Sequence, residues 1–352
     1  MKQLLETIKV GFAFVGVVVG AGFATGQEIL QFFTNYGTFS YLAIFITVII
    51  LLFGGCIVLT NGHDLKAINH TEPIRIYLGN YLGPIIDIIL TVFLYCLAII
   101  MTAGGSATLN ESFDIPLWLG SLILVLGILV TLFLDFNKMV SVLGVVTPFL
   151  VIIVTIIAVY FFFNPSLEFS QVDHHIDLTK TPSGIWWWDS IIYASLQVAA
   201  AFSFLSVLGG NTKYRKSNLY GGILGGVILF LLIAMINSGL LSELDQVNSV
   251  SLPTLLLAEQ INPVLPVMLS VIIILVIYNT VVGLIYSFAA RFTIPYSKNY
   301  KILIILMMVI TYCCTFIGFI GLISFFFPLM GYVGLLLLVP IFMTKKLRHK
   351  IR

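Results

Sequence analysis

The residues best placed to do chemistry stand together near the start of the chain. Gly20-Ala21-Gly22-Phe23-Ala24-Thr25-Gly26-Gln27-Glu28 brings three glycines, a hydroxyl, an amide and a carboxylate into one apolar run. Each glycine costs a continuous helix about 1 kcal/mol relative to alanine. A helix that stops inside a bilayer exposes free N–H groups at the start of its outer half and free carbonyls at the end of its inner half. The N–H groups suit a carboxylate and the carbonyls suit a cation. Unwound backbone survives in hydrocarbon only where protein buries it or where it lines a cavity. The run therefore predicts a substrate site working through the backbone of Gly20, Ala21, Gly22, Phe23 and Ala24, with the Thr25 hydroxyl beside it. A glycine patch for close helix packing is the alternative, but such patches do not bring Thr25, Gln27 and Glu28 with them.

Glu28 is the one carboxylate read well inside the outer half of this segment, and ionisable groups at such depth are functional by default. It could hold the amine of a cargo, carry a coupling proton or gate an entrance; the bland reading is a carboxylate solvated in a funnel. Tyr95 and Thr102 lie near the same depth in the third segment and could line the cavity, or simply pack. Gly221, Gly222, Gly225 and Gly226 form overlapping small-xxx-small pairs and read as a packing surface. Glu111 and Asp189 read as interfacial.

The elements that position these residues are membrane spans. Hydrophobic residues make up 60% of the 352, charged residues 9%, and mean hydropathy is +1.11, which leaves no room for a soluble domain. Ten apolar segments reach the ~20 residues needed to span a bilayer core: 8–35 (interrupted), 38–60, 84–110, 115–134, 139–163, 185–210 (interrupted), 218–241, 264–290, 302–319 and 322–343. The last division rests on Gly318 and Gly321. All but one of the 17 lysines and arginines then fall on one face: Lys2, Lys9, Lys66, Arg75, Lys138, Lys213, Arg215, Lys216, Arg291, Lys298, Lys301 and the tail from Lys345. Lys180 is the exception. The positive-inside rule makes both termini cytoplasmic, and Trp186-Trp187-Trp188 sits where interfacial tryptophans belong.

The first apolar run is too long for a cleavable signal and contains Glu28 where small residues would be needed. Cys56, Cys96, Cys313 and Cys314 all fall in spans, with neither disulfide nor metal spacing. His174-His175 beside Asp173 and Asp177 reads as a solvated outer loop in preference to a metal site.

The two halves correspond. Pro73 and Pro84 bracket a short segment after the second span, and Pro253 and Pro266 bracket one about 180 residues later. Gly22-Phe23 aligns with Ala201-Phe202 at a similar offset, and Ser141 and Pro148 align with Ser324 and Pro328. A unit of five spans is odd, so its second copy enters the membrane upside down. On this reading the chain is a single transmembrane domain, 1–352, with one repeat over about 7–164 and another over about 185–343. The offset also predicts a second interruption in the sixth span, where Gln197, Phe202 and Ser203 become site candidates. No glycine lies between Gln197 and Ser203, so that interruption rests on the repeat alone.

An all-α, ten-helix chain in a five-plus-five inverted repeat, with Gly20-Ala21-Gly22-Phe23 breaking helix 1, resembles the LeuT-type fold of the amino acid–polyamine–organocation superfamily. The string from Gly20 to Glu28 looks most like bacterial YkvI-like membrane proteins. The resemblance implies a secondary transporter in the bacterial inner membrane, carrying an amino acid or similar small organic solute by alternating access. It implies sodium as the coupling ion, held by Asn279 and Thr280 in helix 8 with carbonyls near Val18 and Ala21. Proton-coupled or uncoupled relatives place a lysine in mid-helix 5, where this chain has Thr147 and Thr155; Glu28 keeps proton coupling open. Asn279 and Thr280 could instead bond a neighbouring helix.

No resident cofactor is expected. The expected partners are a small-molecule substrate and membrane lipids, not nucleic acid, and nothing in the pattern sets an oligomeric state. A channel would want a polar stripe along a pore, and an enzyme would want a cluster of acid, base or metal ligands in the spans; neither pattern is evident. A transporter-like receptor is the remaining alternative.

Overall fold

Local sequence breaks the first apolar segment into three pieces: α1 (Lys2–Val18), α2 (Ala21–Ala24) and α3 (Gln27–Phe32). Val19-Gly20 separates the first two, and Thr25-Gly26 the second two. Gly26 has φ +81°, and a Cβ there would lie 2.8 Å from the Thr254 methyl. Only glycine satisfies both the turn and the contact.

The computed structural model describes residues 2–68, 70–133, 136–294 and 296–343. The side chains of Lys138, Ser141 and Thr147 lie outside the described residues, as does the basic tail from Lys345 to Arg352. The helices after the break are α4 (Ser40–Leu65), α5 (Thr71–Phe113), α6 (Leu117–Leu132), α7 (Phe136–Phe163), α8 (Trp186–Asn211) and α9 (Arg215–Ser242). There follow α10 (Leu244–Val247), α11 (Pro253–Ile261), α12 (Leu265–Phe292), α13 (Lys298–Cys314) and α14 (Phe319–Met343). No strand occurs among the described residues. Seven helical stretches there are long and apolar enough to cross a membrane, and α6 and the Pro148–Phe163 part of α7 are shorter apolar helices. The protein is therefore a multi-pass, all-helical membrane protein. A turn at Gly318 (φ +96°) divides α13 from α14, and Gly79 (φ +75°) kinks α5 after its second turn.

One expectation fails. The second interruption is absent: α8 runs unbroken from Trp186 to Asn211, with Gln197, Phe202 and Ser203 inside it. Ala199-Ala200-Ala201 is strongly helix-forming, and no glycine occurs before Gly209. Local propensity prevails over the motif offset that suggested a break.

Small residues set how closely the helices approach. In α9, added Cβ atoms on Gly221 and Gly225 would lie 2.5 and 2.6 Å from Val10 and Phe14 of α1. The same atoms on Gly222 and Gly226 would lie 2.6 and 2.9 Å from Cys56 and Leu52 of α4. The four glycines are thus two faces, each seating one helix, as small-residue packing in membranes demands. Helix α8 is held between α4 and α14, its backbone at Ser206 against Gly62 and at Ser195 against Gly334. That clamp fixes the face of α8 turned toward the break in helix 1.

Candidate functional site

Glu28 lies in the first turn of α3 and is only 2% exposed. The turn at Thr25-Gly26 sends its side chain back over α2, where a Cβ on Gly22 would overlap Glu28 Oε1 and lie 2.5 Å from Cγ. Glycine at 22 therefore makes room for the carboxylate. Oε2 accepts two hydrogen bonds from α8, from Tyr193 Oη and from Gln197 Nε2, both at 2.9 Å. Tyr193 and Gln197 are one helical turn apart, so an unbroken α8 presents both donors together. The Phe23 backbone N–H also donates to the carboxylate. Every one of these partners is neutral, and none of the ion pairs found among the described residues involves Glu28. A buried carboxylate stays ionised only when hydrogen-bonded or paired. This one has donors but no counter-charge, so it can take up a proton, an ammonium or a small cation.

The carbonyls at the end of α2 are not free. Thr254 of α11 donates from its backbone N to Thr25 O at 3.0 Å and from Oγ1 to Ala24 O at 2.8 Å. Helix α11 thus plugs that end of the break. Thr25 Oγ1 turns inward to Gly22 O, 3.2 Å away. At the other end of the break, an added Cβ on Gly20 would collide with the terminal methyl of Met101 on α5.

The structure gathers Gly20, Ala21, Gly22, Phe23, Thr25, Glu28 and Gln197 into one region. It does not bring Tyr95, Phe202 or Ser203 there. Tyr95 Oη donates to Met307 O of α13 at 2.7 Å, away from the break. Phe202 packs edge-on against Tyr77, ring centroids 6.1 Å apart, and Ser203 bonds His70. Thr102 is buried and returns its hydroxyl to Ala98 O on its own helix. Val18 ends α1 and Ala21 begins α2, and α12 packs against α2. On α12, Thr280 Oγ1 donates to Val276 O at 2.8 Å, while buried Asn279 leaves its Nδ2 without a partner.

Asp189, in the first turn of α8, is fully buried, bonded by Tyr36 Oη and by the N–H and hydroxyl of Ser183 in the loop before that helix. Asp173 accepts from Thr38, and Asp177 from Thr179. Among the described residues no group of three or more His, Cys, Asp or Glu could hold a metal ion.

Two features escape a reading of the sequence. Tyr193 is the first, although its position one turn before Gln197 was a usable signal. The second is a chain of polar contacts joining α5, α8 and α12. Arg291 clasps Asp87 with both guanidinium nitrogens, His70 Nε2 lies 3.0 Å from the same carboxylate, and Ser203 Oγ bonds His70 Nδ1. Asp87 was an ionisable residue inside a span, and that was its signal.

An interrupted membrane helix whose carboxylate is held by an adjacent continuous helix belongs to a fold that comparison with solved structures identifies. A mutant of the Eremococcus coleocola manganese transporter superposes with TM-score 0.64 at 15% identity, over 97% of this chain and 79% of that one. Mhp1, a nucleobase-cation-symport-1 family transporter in a closed conformation with bromovinylhydantoin bound, superposes with TM-score 0.59 at 14% identity, over 95% and 77%. The fold is thus the LeuT-type fold, and these neighbours are transporters and not enzymes. Among sequence relatives, YyaD of Bacillus subtilis is 26% identical over 92% of this chain and 93% of its own length. YkvI, a membrane protein of the same organism, is 24% identical over 97% of each. No protein-family model matches the chain. The chain is thus similar along nearly its whole length to YyaD and YkvI, and in fold to LeuT-type transporters.

Proposed function

We propose that the protein is an ion-coupled secondary transporter, a symporter moving a small organic solute, an amino acid or related amine, by alternating access. One observation carries the reading. Glu28, a buried carboxylate with only neutral donors, lies across the break in a membrane helix, and an ammonium is the partner it lacks. Broken helices at such depth are where transporters of this kind build their sites. The neighbours' names, a manganese transporter and a nucleobase-cation symporter, agree with a solute moved together with a cation. Manganese itself is a poor cargo here, because the donors around Glu28 are a phenol, an amide and a backbone N–H, not a set of metal ligands.

Ten spans in a five-plus-five inverted repeat, over about 7–164 and 185–343, suit this reading. The helical piece of α5 before Gly79 follows α4 much as α11 follows α9. Both termini then lie in the cytoplasm of a bacterial cell. Sodium is the coupling ion in this proposal, shared between the break at Val18 and Ala21 and the oxygens of Asn279 and Thr280. The burial of Glu28 favours a second reading, in which that carboxylate carries a coupling proton.

The test is uptake into liposomes of purified protein, across a panel of amino acids, amines and small osmolytes, with an imposed sodium gradient. Replacing sodium by choline or N-methylglucamine at fixed pH and membrane potential should stop accumulation, and Thr280→Ala should weaken it. Unchanged rates in both would move the coupling role to Glu28. Absence of any uptake or thermal stabilisation across the panel would count against transport itself.

A further inference from the structure

We infer that the cargo of the Glu28 site is a monoamine that bears no carboxylate of its own. The inference rests on the transport reading for its site and narrows it, since that reading leaves amino acids and amines together.

The donors at the break are already given to a carboxylate, and that carboxylate belongs to the chain. Tyr193 Oη, Gln197 Nε2 and the Phe23 N–H all turn to Glu28. Other donors beside the break go to the chain's own carbonyls: Thr25 Oγ1 to Gly22 O, and the N–H and hydroxyl of Thr254 to Thr25 O and Ala24 O. Thr280 on α12 returns its hydroxyl to Val276 O. Asn279 Nδ2 has no such partner, but it is a single neutral donor. Among the described residues no lysine or arginine is buried, and the partly buried Arg291 is held by Asp87. A carboxylate on the cargo would therefore be buried against Glu28 with no cation to part them, and two carboxylates sharing such a site do not both stay ionised. An ammonium meets the opposite situation, because it supplies the missing counter-charge.

Charge also limits the cargo to one amine. The other buried carboxylates are committed elsewhere: Asp87 to Arg291 and His70, Asp189 to Tyr36 and Ser183, and Glu243 to Ser166, Gln246 and Gln260. One free carboxylate matches one positive charge. The surroundings suit an apolar stem. The rings of Phe32 and Phe33 lie 5.1 and 5.0 Å from that of Tyr193, and all three, like Phe23, are fully buried. Glu28 is closed off in this conformation, so the cargo reaches it only when the break opens.

The test compares amines with the amino acids that share their stems, by titration calorimetry of the purified protein in detergent, with and without sodium. Isopentylamine and phenethylamine should bind at least about a hundredfold more tightly than L-leucine and L-phenylalanine, because like charges juxtaposed in a binding site are strongly disfavoured. Putrescine, a dication, should bind more weakly than either monoamine. Glu28→Gly should lose amine binding and regain it with added acetate, which takes the vacated place among the three donors. Glu28→Gln, which keeps the shape of the side chain, should lose the preference for the amine. Amino acids or putrescine binding as tightly as the monoamines would overturn the inference, as would a preference that survives Glu28→Gln or an absence of amine binding. Amine binding without uptake would leave the ligand class standing and remove the transport reading. Uptake of amino acids with no preference for amines would do the reverse.

Discussion

Gln197 Nε2 lies 2.9 Å from Glu28 Oε2, across 169 residues of chain. The donor belongs to a helix that stays intact and the acceptor to one that does not. The broken helix is thereby tethered to its most tightly packed neighbour, since α8 is held on two sides by α4 and α14. A carboxylate so tethered can be approached by a cargo without being free to swing away from it.

Gly22 should tolerate no side chain. With Glu28 Cγ 2.5 Å from where its Cβ would stand, and Oε1 nearer still, Gly22→Ala must displace a carboxylate that three donors hold. Uptake should fall about tenfold or more, the equivalent of about 1.4 kcal/mol, while membrane insertion is retained. Gly20→Ala should be milder, because it meets the flexible end of Met101. Equal effects at both positions would show that the break, and not the carboxylate, is what matters.

Tyr193→Phe and Gln197→Leu each remove one charge-assisted hydrogen bond, worth roughly 1.5–3 kcal/mol. Each should weaken binding of an amine-bearing substrate, and the double variant should lose less than the sum of the two, since both donors share one oxygen. Binding isotherms for the four proteins of this cycle give the coupling directly. Strict additivity would mean the donors act on something other than Glu28.

Asp87→Asn leaves Arg291 facing His70 without its carboxylate. Breaking a buried pair by removing one partner costs about 3–5 kcal/mol, so this variant should melt well below the parent in detergent. His70→Gln, which leaves the Arg291–Asp87 clasp in place, should cost much less. A melting temperature unchanged by Asp87→Asn would show that the clasp contributes nothing to stability.

Glu6 receives the N–H groups of Lys213 and Tyr214 at the start of α9, at 2.7 and 3.1 Å. Partial burial pushes its carboxyl up, but these amide bonds outweigh that and hold it below the usual carboxylate value. A depressed folded value means the stabilisation is present at neutral pH and is lost as pH falls through that value. Thermal stability should therefore decline on acidification more steeply in the parent than in Glu6→Gln. Parallel profiles would exclude Glu6 as the group responsible.

How much of this was legible follows from the range of each interaction. The interruption at Gly20–Gly26 is a matter of backbone propensity, written in adjacent residues, and it appears where those residues stand. The glycine quartet of α9 is equally local, and its spacing predicts packing directly. The unbroken course of α8 was written just as plainly in Ala199-Ala200-Ala201, but the repeat offset argued against it. An offset between motifs carries no force of its own, whereas hydrogen bonding and propensity decide the conformation. Tyr193 and Asp87 were hidden for a different reason: their partners, Glu28 and Arg291, are 165 and 204 residues away in sequence. No pattern along one chain encodes which distant helix face will meet which.

The two glycine faces of α9 are notches that a neighbour's side chains fill. Val10 and Phe14 of α1 occupy the gaps at Gly221 and Gly225, and Cys56 and Leu52 of α4 those at Gly222 and Gly226. Because the notches lie on different sides of one helix, a single methyl group added at 221 or at 222 dislodges one neighbour and leaves the other seated. The fold therefore carries, on one helix, two sockets that can be blocked one at a time.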